Sequence, residues 1–289
     1  MGIKNLYIES EPKEIRLGNF VILASPNAGK YWDEVDPCYT PDGELEPRQK
    51  EIKLGFPTTP YYADLEYEYE GDPKNHVRRA SELYERVITI LRLFKQGRIE
   101  GELYRVWDKS SPDSQSKGLI LYFGALNVPT DPDSYELGDN DIAQLQSFFT
   151  GLYEVDQSRF SLAIDRFNDS YARERERDRF IDLLIALEAL FSEDPDSIGY
   201  KIRLRCACFL DKFPGVLKSK HKVFEFLKIA YKQRSSIVHE KKQSLKWASQ
   251  ENNSKLEYLV RQSLIHMLLE SKTGNVLTPD KLDQFLFLE

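Results

Sequence analysis

DRFIDLLIALEALFSED, residues 178–194, decides how the second half of this 289-residue chain is read. Wound at about 3.6 residues per turn it is apolar nearly all round, and a helix with no polar face has to be covered by other helices. The spacing therefore predicts the central helix of a bundle. Its neighbours follow. NDIAQLQSFFTGLY (140–153) opens with Asp139 or Asn140 as caps, and SRFSLAIDRFNDSYAR (158–173) puts Phe160, Ala163, Ile164, Phe167 and Tyr171 on one face. Further helices are expected over about 198–212, 219–239 and 253–272. No internal repeat interrupts the series.

The first 135 residues read differently. EIRLGNFVILAS (14–25), DLEYEYE (64–70), ELYRVW (102–107) and GLILYFG (118–124) have strand character. A Pro- and acid-rich stretch from Tyr31 to Pro60 reads as a long loop or short edges. One helix stands out, HVRRASELYERVITILRLF (76–94), with apolar residues at 83, 87, 90, 91 and 94. The expected fold class is α+β overall: a mixed α/β domain over 1–137 followed by an all-α bundle over 138–289.

Composition excludes several classes. The chain is 41% hydrophobic and 30% charged, and no apolar run approaches the roughly 20 residues that span a bilayer. MGIKNLYIESEPKE lacks the layout of a signal peptide. Cys38, Cys206 and Cys208 include no CxxC spacing for zinc, so the expectation is a cytoplasmic protein with no metal and no cofactor. A net charge of −7 argues against a general nucleic-acid coat. The charge is uneven, however: residues 1–150 carry 17 Lys+Arg against 26 Asp+Glu (−9), and residues 151–289 carry 23 against 21 (+2). Residues 218–246 alone hold nine Lys+Arg and two Glu, a local +7 that suits a defined anionic substrate.

Some motifs fall away on inspection. SPNAGKY (25–31) keeps Gly29 and Lys30 of a phosphate loop, but Ala24 stands where its first glycine belongs and Tyr31 replaces the hydroxyl residue. Glu66, Glu68 and Glu70 alternate with Leu65, Tyr67 and Tyr69, as on the wet face of a half-buried strand. His76 and His221 sit among charges near helix starts and read as solvated surface.

YKQRSSIVHEKK (231–242), inside the basic segment, carries the functional signal. Arg-x4-His alone is weak: 18 arginines and four histidines give 18 × 4 / 289, about 0.25 chance occurrences, and Arg261 with His266 repeats the spacing. Position on the helix separates the two. Arg234 falls in the stripe Val223, Leu227, Ala230, Ile237 and Val238, whereas Arg261 lies to one side of Leu256, Val260, Leu264 and Met267. A guanidinium in an apolar stripe needs a partner. Glu188, on a stripe with Ile181, Leu184, Ile185 and Phe191 in the central helix, is the expected one.

At about 100° per residue Arg234 and His239 are about 140° apart, so convergence on one ligand needs reach, a bend or a second subunit about a twofold axis. Two such Arg/His pairs across one groove supply nearly all that RNA cleavage by its own 2′-OH needs, a base, an acid and a cation. Histidine transfers protons near neutral pH, and arginine grips phosphate with two parallel hydrogen bonds. The alternative for His239 is a cation placed favourably at a helix C-terminus. Lys232, Lys241 and Lys242 are the expected RNA contacts beside the pair.

The run AIDRF…DRFIDLLIALEALF…VFEFLKIAYKQRSSIVHEKK resembles the HEPN superfamily, in its ApeA-like branch, over about residues 140–272. The marks are Arg166 and Phe167, the central helix, and the RSxxVH ending. The resemblance implies an all-helical domain that dimerises, and in many members a metal-independent endoribonuclease with the motif arginine and histidine catalytic. Ser235 occupies the following polar position, where Asn, Asp or His is common elsewhere in the superfamily. The implied protein is a homodimeric ribonuclease (a nuclease and hydrolase of the antiviral defence or toxin type), with a regulatory protein or ligand acting on residues 1–137. The alternative is a noncatalytic binding or dimerisation module in which Glu188 and Arg234 are structural.

Overall fold

The computed structural model describes residues 2–4, 6–8, 14–18, 21–24, 61–65, 75–102, 135–192, 198–216, 218–240, 247–275 and 277–284. Among these the chain is mostly helical. It divides into two compact units, Met1–Tyr153 and Glu154–Glu289.

The first unit contains strands β1 (Gly2–Lys4), β2 (Leu6–Ile8), β3 (Glu14–Leu17), β4 (Val21–Ala24), β5 (Tyr61–Leu65), β6 (Glu100–Glu102) and β7 (Tyr135–Leu137), with helices α1 (His76–Phe94) and α2 (Asp139–Tyr153). Five strands pair antiparallel in the order β3-β4-β5-β1-β6, and β2 pairs parallel with β7. The single strand expected over 14–25 is instead a hairpin, with Leu17 opposite Val21 and Gly18 at φ +65°. That left-handed conformation suits glycine, and Gly18-Asn19 is the point in the run where turn residues interrupt the apolar ones and the chain reverses. Where the strands expected at 64–70 and 102–107 enter the described residues they belong to β5 (61–65) and β6 (100–102); 66–70, 103–107, 118–124, the loop Tyr31–Pro60 and the SPNAGKY segment lie outside the described residues.

Helix α1 buries Leu83, Val87, Ile90 and Leu91, as its spacing predicts. Tyr135 donates its hydroxyl proton to Leu91 O at 2.6 Å, and Arg92 bonds Ile99 O, so the helix is tied to the strand segments on either side. Helix α2 was expected to open the bundle. It packs instead on α1 and β3, burying Leu145, Phe149 and Leu152, with Phe94 against Phe148 and Lys95 paired to Asp141 at 2.6 Å. The division therefore falls after Tyr153 and not after residue 137. An amphipathic face specifies that a helix needs cover, not which neighbour supplies it.

The second unit comprises α3 (Ser161–Ala172, preceded by a 3-10 turn at Ser158–Phe160), α4 (Glu176–Phe191), α5 (Ile198–Asp211), α6 (Lys220–Glu240), α7 (Gln250–Lys272) and the short α8 (Pro279–Gln284). Helix α4 is central as expected: it packs against α3, α5 and α7 and buries Phe180, Leu183, Leu184, Leu187 and Phe191. Truncating one such leucine to alanine costs about 2–5 kcal/mol. The helix stops at Phe191, its last apolar residue and short of the 194 expected, with Ser192 extended (φ −122°, ψ 129°) and Pro195 following in the sequence. Ser249 caps α7, accepting from the Asn252 backbone N–H. Trp247 packs edge-on against Phe180 and beside Phe226, closing the end of the bundle where α6 leads into α7.

Polar contacts then lock the helices in place. Arg166 and Arg173 both reach Asp182, Arg205 grips Asp283 of α8 and Phe191 O, and Arg179 pairs with Glu257 in the core. Among the described residues no helix is long and apolar enough to cross a membrane.

Candidate functional site

Helix α6 runs unbroken through Arg234 and His239. Along its stripe Leu227 and Ala230 are fully buried, and Val223, Arg234 and Ile237 are half-buried, so Arg234 stands where the core meets solvent. Glu188 projects from the last turn of α4 to meet it. Arg234 Nη2 donates to Glu188 Oε2 at 3.1 Å, and Nη1 lies 3.0 Å from Oε1. The second contact is close enough for an ion pair but poorly aligned for a hydrogen bond, which leaves Oε1 and Arg234 Nε buried without hydrogen-bond partners. The side chains are 33% and 19% exposed. Burial pushes the Glu188 carboxyl above its ordinary value, and the positive charge of Arg234 opposes that rise without cancelling it.

Tyr231, one turn before Arg234, belongs to the same assembly. Its ring packs beside Gly199 of α5, and its hydroxyl is buried with no hydrogen-bond partner. Burial, reinforced by the negative charge of Glu188, holds the phenol well above 10. Nothing in the helical pattern marks it, because a tyrosine near an apolar stripe reads as ordinary core. On α5 Arg203 donates from Nε to Gly199 O at 2.7 Å. Its guanidinium carbon lies 5.6 Å from the Tyr200 ring centre and 5.2 Å from that of Phe224 on α6.

The remaining expected site residues fall on or after the same helix. Lys232 and Ser235 are exposed. His239 lies in the last turn of α6, five residues beyond Arg234, and its side chain lies outside the described residues, as do Lys241 and Lys242. The structure thus brings Arg234 and Glu188 together; it describes no contact between either of them and His239. His221 is exposed, as expected.

The duplicate spacing on α7 behaves in part against expectation. Arg261, placed by its spacing to one side of the apolar stripe, is 7% exposed and hence more deeply buried than Arg234. Helix α7 is packed by α3, α4 and α5 together, so its flanks are covered as well as its stripe, and the guanidinium rests over the Tyr258 ring at 5.8 Å. His266 stacks flat on Phe213 with ring centres 3.6 Å apart, and burial lowers its pKa. A second buried charge pair, Arg179 with Glu257, escaped the sequence reading because both residues lie among other charged positions.

Among the described residues no group of three or more His, Cys, Asp or Glu side chains is arranged to hold a metal ion. Cys206 is fully buried, and that burial pushes its thiol up to about 12, which keeps it protonated. Comparison with protein-family models, with curated proteins and with solved structures finds no match for this chain.

Proposed function

We propose that this chain is a homodimeric, metal-independent endoribonuclease of the HEPN type, acting in the cytoplasm in a defence or toxin setting. In this reading a mixed α/β N-terminal domain senses a regulatory protein or ligand, and the helical domain carries the site. The observation that carries the reading is the Arg234–Glu188 contact: a carboxylate from the central helix orients a guanidinium that keeps a third of its side chain open to solvent, on the most basic segment of the chain. Arginine held in this way presents free N–H groups to a phosphate, and His239 follows on the same helix.

The chemistry needs two proton transfers. A histidine takes the proton of the ribose 2′-OH, the O2′–P bond forms, and Arg234 stabilises the negative charge of the phosphorane. The P–O5′ bond then breaks as a second histidine protonates the leaving oxygen. Two copies of His239 about a twofold axis supply both partners. Ser235, Lys232, Lys241 and Lys242 flank the strand.

A noncatalytic binding or dimerisation module is the second reading. It is favoured by the same ion pair being two-thirds buried on the arginine side, since structural ion pairs also perturb their members. Purified full-length protein incubated with total RNA in EDTA separates the two. Products ending in 2′,3′-cyclic phosphate with free 5′-OH are expected. Binding without cleavage supports the module, and 5′-phosphate ends or a strict requirement for Mg²⁺ sink the proposed mechanism.

A further inference from the structure

We infer that Tyr200, Arg203 and Phe224 form a nucleotide-binding subsite for single-stranded RNA, stacking a base on Tyr200 and holding its phosphate on Arg203. The inference rests on the ribonuclease reading above and extends it to the nucleotide beside the one cleaved.

Arg203 is set apart by its two aromatic neighbours and not by the lack of a carboxylate alone, since Arg261, 7% exposed, also meets none among the described residues. Arg166, Arg173, Arg179, Arg205 and Arg234 each meet a carboxylate in this bundle. Arg203 meets none among the described residues. Its one hydrogen bond among the described residues runs from Nε to Gly199 O and engages neither terminal nitrogen. Two aromatic rings fix the guanidinium: Tyr200 and Phe224 stand perpendicular to each other at 81°, ring centres 5.9 Å apart, and the cation lies over both. Tyr200, at 55% exposure, is among the most exposed large apolar side chains of the described residues. A cation fixed with no counter-ion among the described residues, next to an exposed aromatic ring, is the pairing that single-stranded nucleic acid recognition requires: charge for the backbone, a ring for any base.

Position joins this platform to Arg234. Gly199, which accepts from Arg203, also seats the ring of Tyr231; a Cβ added there would lie 3.6 Å from that ring. The buried Tyr231 hydroxyl feels the charges of Glu188, Arg234 and Arg203 together. Tyr231 thus touches the residue that anchors Arg203 and lies one helical turn from Arg234, so both arginines belong to the contact between α5 and α6, where a strand gripped at Arg234 would meet the second cation and its aromatic ring.

The test uses the full chain carrying His239→Ala, so that RNA is bound without being cut, and fluorescence anisotropy with a labelled eight-nucleotide single-stranded RNA and its abasic counterpart. Tyr200→Ala should weaken binding about tenfold, Tyr200→Phe should retain it, and the abasic strand should be insensitive to Tyr200→Ala. Arg203→Gln should weaken binding and flatten its salt dependence. Parental affinity in both Tyr200→Ala and Arg203→Gln, with Arg234→Ala still weakened, would overturn the subsite and leave the ribonuclease reading standing. If the parent binds neither RNA, both readings fall. Circular dichroism on each variant confirms that an exposed position, and not the fold, has been changed.

Discussion

Arg234 on α6 and Glu188 on α4 meet across the bundle with Nη2 3.1 Å from Oε2, yet neither is sealed from water, the side chains keeping 33% and 19% exposure. Partial burial decides what the pair is worth. A fully buried pair broken by removing one partner costs about 3–5 kcal/mol and an exposed pair about 1 or less, so Arg234→Ala should cost about 2 kcal/mol. Urea denaturation of Arg234→Ala, Glu188→Ala and the double variant should show coupling above about 0.5 kcal/mol. RNA cleavage should fall in both single variants, and Arg234→Lys, which restores charge but not the forked geometry, should recover little. Additive energies would mean that the two residues do not hold each other.

The raised pKa of Glu188 makes a second prediction. A carboxyl whose folded value lies above its unfolded one binds more protons when folded, so its contribution becomes less favourable as pH rises from the ordinary 4.5 through the raised value. Glu188→Gln should remove that segment of the stability curve. Arg234→Ala should steepen it, because the opposing positive charge is gone. The difference between variant and parent stability across this pH range is the measurement; parallel curves for all three proteins would count against a desolvated Glu188.

Arg179 and Glu257 form the more deeply buried pair, with side chains 6% and 1% exposed and Tyr171 donating to Glu257 at 2.8 Å. Glu257→Ala should cost about 3–5 kcal/mol by stranding the arginine, whereas replacing both with apolar residues of similar volume should recover most of that loss. Thermal unfolding reads this directly. A Glu257→Ala protein as stable as the parent would show that the pair is not closed to water.

His239→Ala should abolish RNA cleavage and leave the fold intact, since a helix-end histidine contributes at most about 1–2 kcal/mol through the dipole. His266→Ala should do the reverse. It removes the stack on Phe213 and lowers stability, while cleavage by the folded protein continues. The depressed pKa of His266 also means that its contribution is present above the ordinary 6.5 and is lost as pH falls. Equal cleavage by His239→Ala and parent protein would remove that histidine from the mechanism.

The sequence by itself determined what local periodicity controls. The apolar spacing of 178–194 marked the central helix, the stripes of its neighbours marked α3, α5, α6 and α7 to within a few residues, and the mismatch of two charges with two apolar stripes paired Arg234 with Glu188. Short-range patterns are legible because each residue reports its own turn of helix. The tertiary structure alone decided which surfaces meet. It sent α2 to α1 and β3, covered Arg261 on a flank that its own helix left open, and set Phe224 of α6 against Tyr200 and Arg203 of α5. Each of these depends on residues far apart in the chain, and an amphipathic pattern records that a face must be buried without recording what buries it.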